Sequence, residues 1–307
     1  MKAKNVKSVL RNKFKSFLAN VRNDAVREVI DQNAIITGGA IASMLLGEEV
    51  HDFDMYFRTR AATAMVAEHY CKEFSENPPP RFKNKEKAAS IAVEVLEDRV
   101  KVVVKSAGVA SERGDGSEYQ YFEQTDPEAG DASEYVAKVL GIKQDAEDQE
   151  TKPRYRPVHL SSNAITLSDK VQCVTRFFGE PDDIHANYDF VHTTNYWTSW
   201  DNKLVLKPEA IEALLARELR YAGSKYPLCS IIRTRKFIQR GWAVTAGQYL
   251  KMVMQLQELD LNDIATLEEQ LTGVDAAYFE QVIAALRERD QNKVDGAYLV
   301  ELIDRIF

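Results

Sequence analysis

This chain has no run of about twenty apolar residues, so nothing in its 307 residues reads as a membrane-spanning helix. Its N-terminus, MKAKNVKSVLRNKFKSFL, is basic and amphipathic but lacks the apolar core of a secretory signal. The expectation is a cytoplasmic protein with no membrane partner. Cysteine is scarce: Cys71, Cys173 and Cys229 are too few and too scattered for a disulfide framework or a structural zinc site, which leaves reduced, buried thiols. The five histidines, His51, His69, His159, His185 and His192, form no ligand pair. Low-complexity repeats are absent too, and no obligate protein partner is evident.

With 45% hydrophobic residues the chain can bury a sizeable core, and its length is typical of two domains. A net charge of −7 argues at first against nucleic acid. The acid is concentrated, however. Between Gly108 and Lys152 lie SERGDGSEY, FEQTDPEAGD and KQDAEDQETK, a polar stretch that reads as a solvated insertion at about 108–152. Outside it charges nearly balance, which leaves room for a local nucleic-acid surface.

Apolar spacing predicts helices over Lys2–Asn20, Asp24–Gln32 and Ala61–Ser75, the last closed by Pro78–Pro80. Ala34–Thr37 reads as a strand. Ala89–Val95 and Arg99–Val104 read as a hairpin, and Ala164–Leu167 with Val171–Thr175 as a second strand pair. From Gly247 onward the chain reads as helices: Gln248–Leu259, Asn262–Leu271, Asp275–Asp290 and Val294–Phe307.

The richest stretch is Ile35–Arg58, IITGGAIASMLLGEEVHDFDMYFR. Gly38 and Gly39 follow a β-branched run and open the apolar helix Ala40–Leu46, so backbone amides and a helix N-terminus face an anion such as a triphosphate. Asp52 and Asp54 come next. Two apart on a strand, they project together while Phe53 and Met55 point to the core. Convergent carboxylates suit a hard divalent cation, Mg²⁺.

This layout resembles the DNA polymerase β-like nucleotidyltransferase superfamily, and within it the tRNA nucleotidyltransferase (CCA-adding) and poly(A) polymerase branch. That branch reads GG-x-x-R-D-x-L-L-G-x-x-x-x-D-x-D, and Gly38, Gly39, Leu45, Leu46, Gly47, Asp52 and Asp54 fall in step. Its Arg-Asp pair is replaced by Ala42 and Ser43. The resemblance implies an α+β fold: a nucleotidyltransferase head of mixed β-sheet flanked by helices over 1–206, then an all-α neck and C-terminal domain over 207–307.

A second block, Ile165–Tyr196, reads as strand, turn, strand, short helix, strand, with the helix starting at Gly179-Glu180-Pro181. Tyr188-Asp189-Phe190 sets a carboxylate between aromatics, and Asp189 is taken as the third metal ligand that the superfamily uses. A competing alignment puts Val171–Arg176 on the acid-bearing strand, with Gln172 where the third acid would be. Glu94 and Glu97 on the earlier hairpin rank below Asp189. His192 reads as a packed histidine, and Tyr196, Trp197 and Trp200 as core in preference to base stacking. A third block, Pro227–Trp242, is a basic helix ended by Gly241 that resembles the branch's neck helix, where Arg233, Lys236 and Phe237 match its pattern.

The resemblance implies an enzyme that transfers a nucleoside monophosphate from an NTP to a hydroxyl acceptor, with an RNA 3′ end as the expected acceptor and pyrophosphate released. Asp52, Asp54 and Asp189 would hold two Mg²⁺ ions, Gly38 and Gly39 would bind the phosphates, and Arg233 or Lys236 would neutralise their charge. Two other readings stay open: nucleotidylation of a protein or small molecule, as in toxin-like relatives, and a catalytically silent nucleotide- or RNA-binding module.

Overall fold

In the computed structural model, residues 1–77, 91–104, 154–161, 163–261 and 263–271 are described. The predicted acidic insertion, Pro78–Pro80 and the last two predicted helices lie outside these residues. The chain divides into two compact units. Among the described residues the first holds 1–77, 91–104, 154–161, 163–185 and 193–210, and the second holds 186–192, 211–261 and 263–271.

The first unit is α+β. It begins with helices α1 (Ala3–Leu18) and α2 (Asp24–Asn33), then β1 (Ala34–Thr37), α3 (Gly39–Leu46), β2 (Phe53–Phe57) and α4 (Arg60–Glu76). Asn23 caps α2 by accepting from the amides of Ala25 and Val26, and Thr59 caps α4 by accepting from Ala62. The strands β3 (Ile91–Val95) and β4 (Val100–Val104) form the predicted hairpin as a separate two-stranded sheet. The remaining elements are β5 (Pro157–Leu160), β6 (Ala164–Leu167), β7 (Val171–Phe178), α5 (Pro181–His185), β8 (Tyr196–Thr198) and β9 (Lys203–Val205).

Seven strands form one mixed sheet in the order β5-β6-β7-β2-β1-β8-β9, with β2 and β7 parallel and the other pairs antiparallel. Alternation assigns its faces. Ile36, Met55, Cys173, Ile165 and Trp197 point to one side, where Val6, Leu10, Phe14 and Phe17 of α1 and Ile30, Ile41, Val66 and Tyr70 of the next three helices complete the core. Phe14 packs against Trp197 at 5.2 Å between ring centroids. Trp197 is thus core, as expected, whereas Trp200 is partly exposed and lies under the Arg58 guanidinium at 4.3 Å. The opposite face carries the polar groups described below.

The second unit is helical: the greater part of α6 (Pro208–Ala216), then α7 (Pro227–Gln239), α8 (Ala246–Leu256) and α9 (Ile264–Leu271). Pro227 opens α7 at its first helical position, which wastes no backbone donor. The segment Asp189–Val191 pairs with Arg220–Ala222, through Val191 N to Arg220 O and Ala222 N to Asp189 O. This corrects the expected strand at Tyr188-Asp189-Phe190. Phe190 makes a single bridge to Tyr221 before Val191–Thr193 coils into a 3-10 turn, so period-2 alternation does not extend.

Candidate nucleotide site

Thr37 ends β1, and the chain turns at Gly38 with φ 90° and ψ −151°. That conformation belongs to glycine. No side chain caps α3, so its first amides are left for an external acceptor, and the helix dipole adds positive potential there. A Cβ built on Gly39 would meet nothing within 4 Å. Gly38 N itself donates to Thr193 O at 3.1 Å.

The predicted carboxylates stand beside this turn. Phe53 and Met55 are buried and Asp54 is half-exposed on the opposite face, as the alternation required. Asp52 lies one residue before β2, and Phe53 N is tied to Lys170 O at 2.9 Å. Register then builds a row across the polar face. Asp54 pairs with Thr37 on one side and Gln172 on the other; Gln172 pairs with Thr166, and Thr166 with His159. Gln172 Nε2 donates to Thr166 Oγ1 at 3.4 Å. The position next to Asp54 on β7 is therefore held by Gln172, as the competing alignment had it. Glu94 faces Lys101 in the separate hairpin and Glu97 is exposed in its turn, so neither joins this row.

Asp189 belongs to the second unit, where it accepts from Arg233 Nη1 at 3.0 Å and is largely buried. Two residues expected in separate roles, third metal ligand and phosphate cation, are thus ion-paired with each other. Lys236 lies three residues further along the same helix α7. Among the described residues no three His, Cys, Asp or Glu side chains are grouped to hold a metal ion. In the same unit His192 is buried against Trp242, with centroids 4.4 Å apart, and against Phe237 and Phe190. Burial, opposed by the Asp189 charge, brings its pKa down to about 4.

One cluster at the turn escaped the sequence reading. Thr37 Oγ1 lies 2.8 Å from His185 Nε2, 2.9 Å from Asn195 O and 3.3 Å from Thr193 O. A hydroxyl has one proton, and it goes to a carbonyl, so His185 must donate from Nε2. Its bare Nδ1 then faces the Lys207 ammonium at 3.3 Å, which also binds Asp182 at 2.7 Å. Burial, with help from Lys207, lowers the His185 pKa to about 4, so the ring is neutral at physiological pH. Asn195 Oδ1 accepts from Lys207 N, while its buried Nδ2 has no partner among the described residues. His185 and Thr37 are 148 positions apart, so no local spacing could have signalled them. The cluster fixes the β1 end of the glycine turn and leaves the amides of α3 as its open side.

Comparison with known proteins gives distant likenesses. The CCA-adding enzyme of Bacillus stearothermophilus, solved in complex with CTP, matches at TM-score 0.38 and 13% identity over 88% of this chain and 51% of that one. The Thermotoga maritima CCA-adding enzyme complexed with tRNA_CCA matches at TM-score 0.39 and 10% identity over 95% and 53%. Likenesses at this level fix no activity. Gabija anti-defense 2 of Bacillus phage SPbetaL7 is 18% identical over 132 residues, 43% of this chain and 32% of that protein. The matches therefore span about a third of the phage protein and about half of each enzyme. The glycine and carboxylate motifs had pointed to the nucleotidyltransferase superfamily and its CCA-adding and poly(A) polymerase branch, not to the family that the chain matches. The family model described as Gabija anti-defense 2 family protein matches residues 8–217, more than half of the chain, and the chain belongs to that family.

Proposed function

We propose that this protein acts against Gabija defence through a nucleotidyltransferase-type head, which passes a nucleoside monophosphate from an NTP to a hydroxyl acceptor. The observation that carries this reading is the register of Thr37 with Asp54, which sets the uncapped start of α3 beside a carboxylate on one sheet face. The Gly38-Gly39 turn and the first amides of α3 bind the phosphates. Asp52 and Asp54 offer the carboxylates, and the Gln172 amide oxygen is a neutral neighbour. That donor set suits one Mg²⁺ completed by phosphate oxygens, because Mg²⁺ is commonly held by one or two carboxylates plus substrate. When bound, the ion would supply charge neutralisation at the triphosphate. Asp189 as a third ligand and Arg233 as a phosphate cation would each have to loosen the ion pair they make with one another. In the transfer, the acceptor oxygen bonds to the α-phosphorus, the bond to the β-phosphate bridge breaks, and pyrophosphate leaves with the electron pair. The hydroxyl proton passes to solvent.

The acceptor is an RNA 3′ end or, in the alternative reading, a hydroxyl on a protein or small molecule. The test supplies each α-labelled NTP with Mg²⁺ to the purified chain, total RNA and an extract of Gabija-carrying cells. Label on RNA or protein, lost in Asp52→Ala/Asp54→Ala, is expected. A second reading is a silent nucleotide-binding head, favoured by Gln172 beside Asp54. It would give nucleotide binding with no labelled product. No nucleotide binding at all would overturn both.

A further inference from the structure

The N-terminal helix carries charge of one sign. Seven of the chain's 40 basic residues and none of its 47 acidic ones fall in the first 23 positions, Asp24 being the first carboxylate. Helix α1 divides this sequence between two faces. Val6, Leu10, Phe14 and Phe17 are buried in the core of the first unit. Lys4, Lys7, Arg11 and Lys15, three or four residues apart, are exposed. That spacing sets one cation per turn along a line of roughly 16 Å at ~1.5 Å rise per residue. Among the described residues none of the four has an ion-pair partner.

The helix is tied to the elements that build the candidate site. The Met1 amine donates to Leu45 O in α3 at 2.8 Å. Lys13 reaches Asp169 O, in the turn whose Lys170 carbonyl accepts from Phe53 N. We propose that the exposed face of α1 binds a nucleic-acid phosphate backbone and holds it alongside the head. A line of cations is what such a backbone requires, and sequence-independent binding of this kind rests on phosphate neutralisation. A membrane needs more. A basic amphipathic helix binds lipid by inserting its apolar face, and here that face is committed to the core, with Val6, Leu10 and Phe17 fully buried. The net charge of −7 does not oppose local binding, because charges beyond about 8 Å are largely screened at physiological salt.

The surface is argued from charge and burial, so it holds for a catalytic and a silent head alike. The test measures anisotropy of labelled single-stranded RNA, the same DNA sequence and a DNA duplex with the full chain, at 50 and 200 mM salt. Four phosphate contacts predict a slope of about −3 in log affinity against log salt for single strands, or roughly a 50-fold loss across that range. The variant Lys4→Gln/Lys7→Gln/Arg11→Gln/Lys15→Gln should lose that slope with its melting transition retained, since glutamine is a good helix former. The pair Lys4→Gln/Lys7→Gln should lose half of it, which keeps the test open if the fourfold variant unfolds. A preference for RNA or DNA identifies the ligand and supports the proposal. Absence of binding, unchanged binding by the variants, or equal binding to poly-glutamate or phosphatidylserine vesicles overturns it.

Discussion

Gly38 and Gly39 adjoin in sequence but have separable roles. The Gly38 φ of 90° with ψ −151° is a region that side-chain-bearing residues avoid, so Gly38→Ala should destabilise the fold by about 1–3 kcal/mol in urea unfolding. Gly39 is helical with open space at its Cβ position, so Gly39→Ala should change stability by less than ~1 kcal/mol. If the amides of α3 bind phosphate, a methyl at Gly39 would stand on their open side, so Gly39→Ala should weaken NTP binding, read by calorimetry. Unchanged affinity would place the ligand elsewhere. Gln172 supports a gain-of-charge test: Gln172→Glu adds a carboxylate in register with Asp54 and should tighten Mg²⁺ or Mn²⁺ binding severalfold if Asp54 is a ligand. No change would remove the metal from this row. The glycines and both aspartates were legible because their chemistry is local, a turn and an alternation. The Thr37, His185 and Lys207 cluster was not, because tertiary packing alone brings it together.

At the scale of elements, apolar runs and periodic helices were legible. Helices α1 to α4 and strands β1 and β6 lie within a residue or two of their predicted bounds: α1 and α2 through an apolar face of helical period, and β1 and β6 as short apolar runs buried along their length. Strands β5, β8 and β9 were missed: they are three or four residues long and are not buried along their length, so they carry too little pattern to separate from loop. Asp189, between two aromatics, reads as a strand position, yet Phe190 serves a different packing. Phe190 stacks edge-on against Phe237 and Tyr221 in the helical unit. Helix α1 is an integral part of the first unit. Phe17 is fully buried and packs 5.6 Å from the Tyr155 ring, so Phe17→Ala should cost about 3–5 kcal/mol in chemical denaturation. A loss under 1 kcal/mol would mean that α1 is loosely attached and free to insert elsewhere.

For the whole molecule, two buried histidines contribute to the acid response. His185 and His192 each have a folded pKa near 4 against an ordinary value near 6.5. Below pH 6.5 the unfolded chain therefore binds more protons than the folded one. The histidine contribution to stability is full above that value, falls as pH drops towards about 4, and then levels, with a loss on the order of 3 kcal/mol per histidine. The His192→Phe variant, which keeps a ring against Trp242, should show a shallower fall across that window; an unchanged profile would show that His192 does not titrate as described. The account of the whole protein joins a carboxylate-bearing nucleotide head to opposition to Gabija. Its most direct test is phage plating on Gabija-carrying cells that express the wild-type chain or Asp52→Ala/Asp54→Ala at matched levels. The account predicts that the wild-type chain restores plaques and the variant does not, and restoration by both would contradict it.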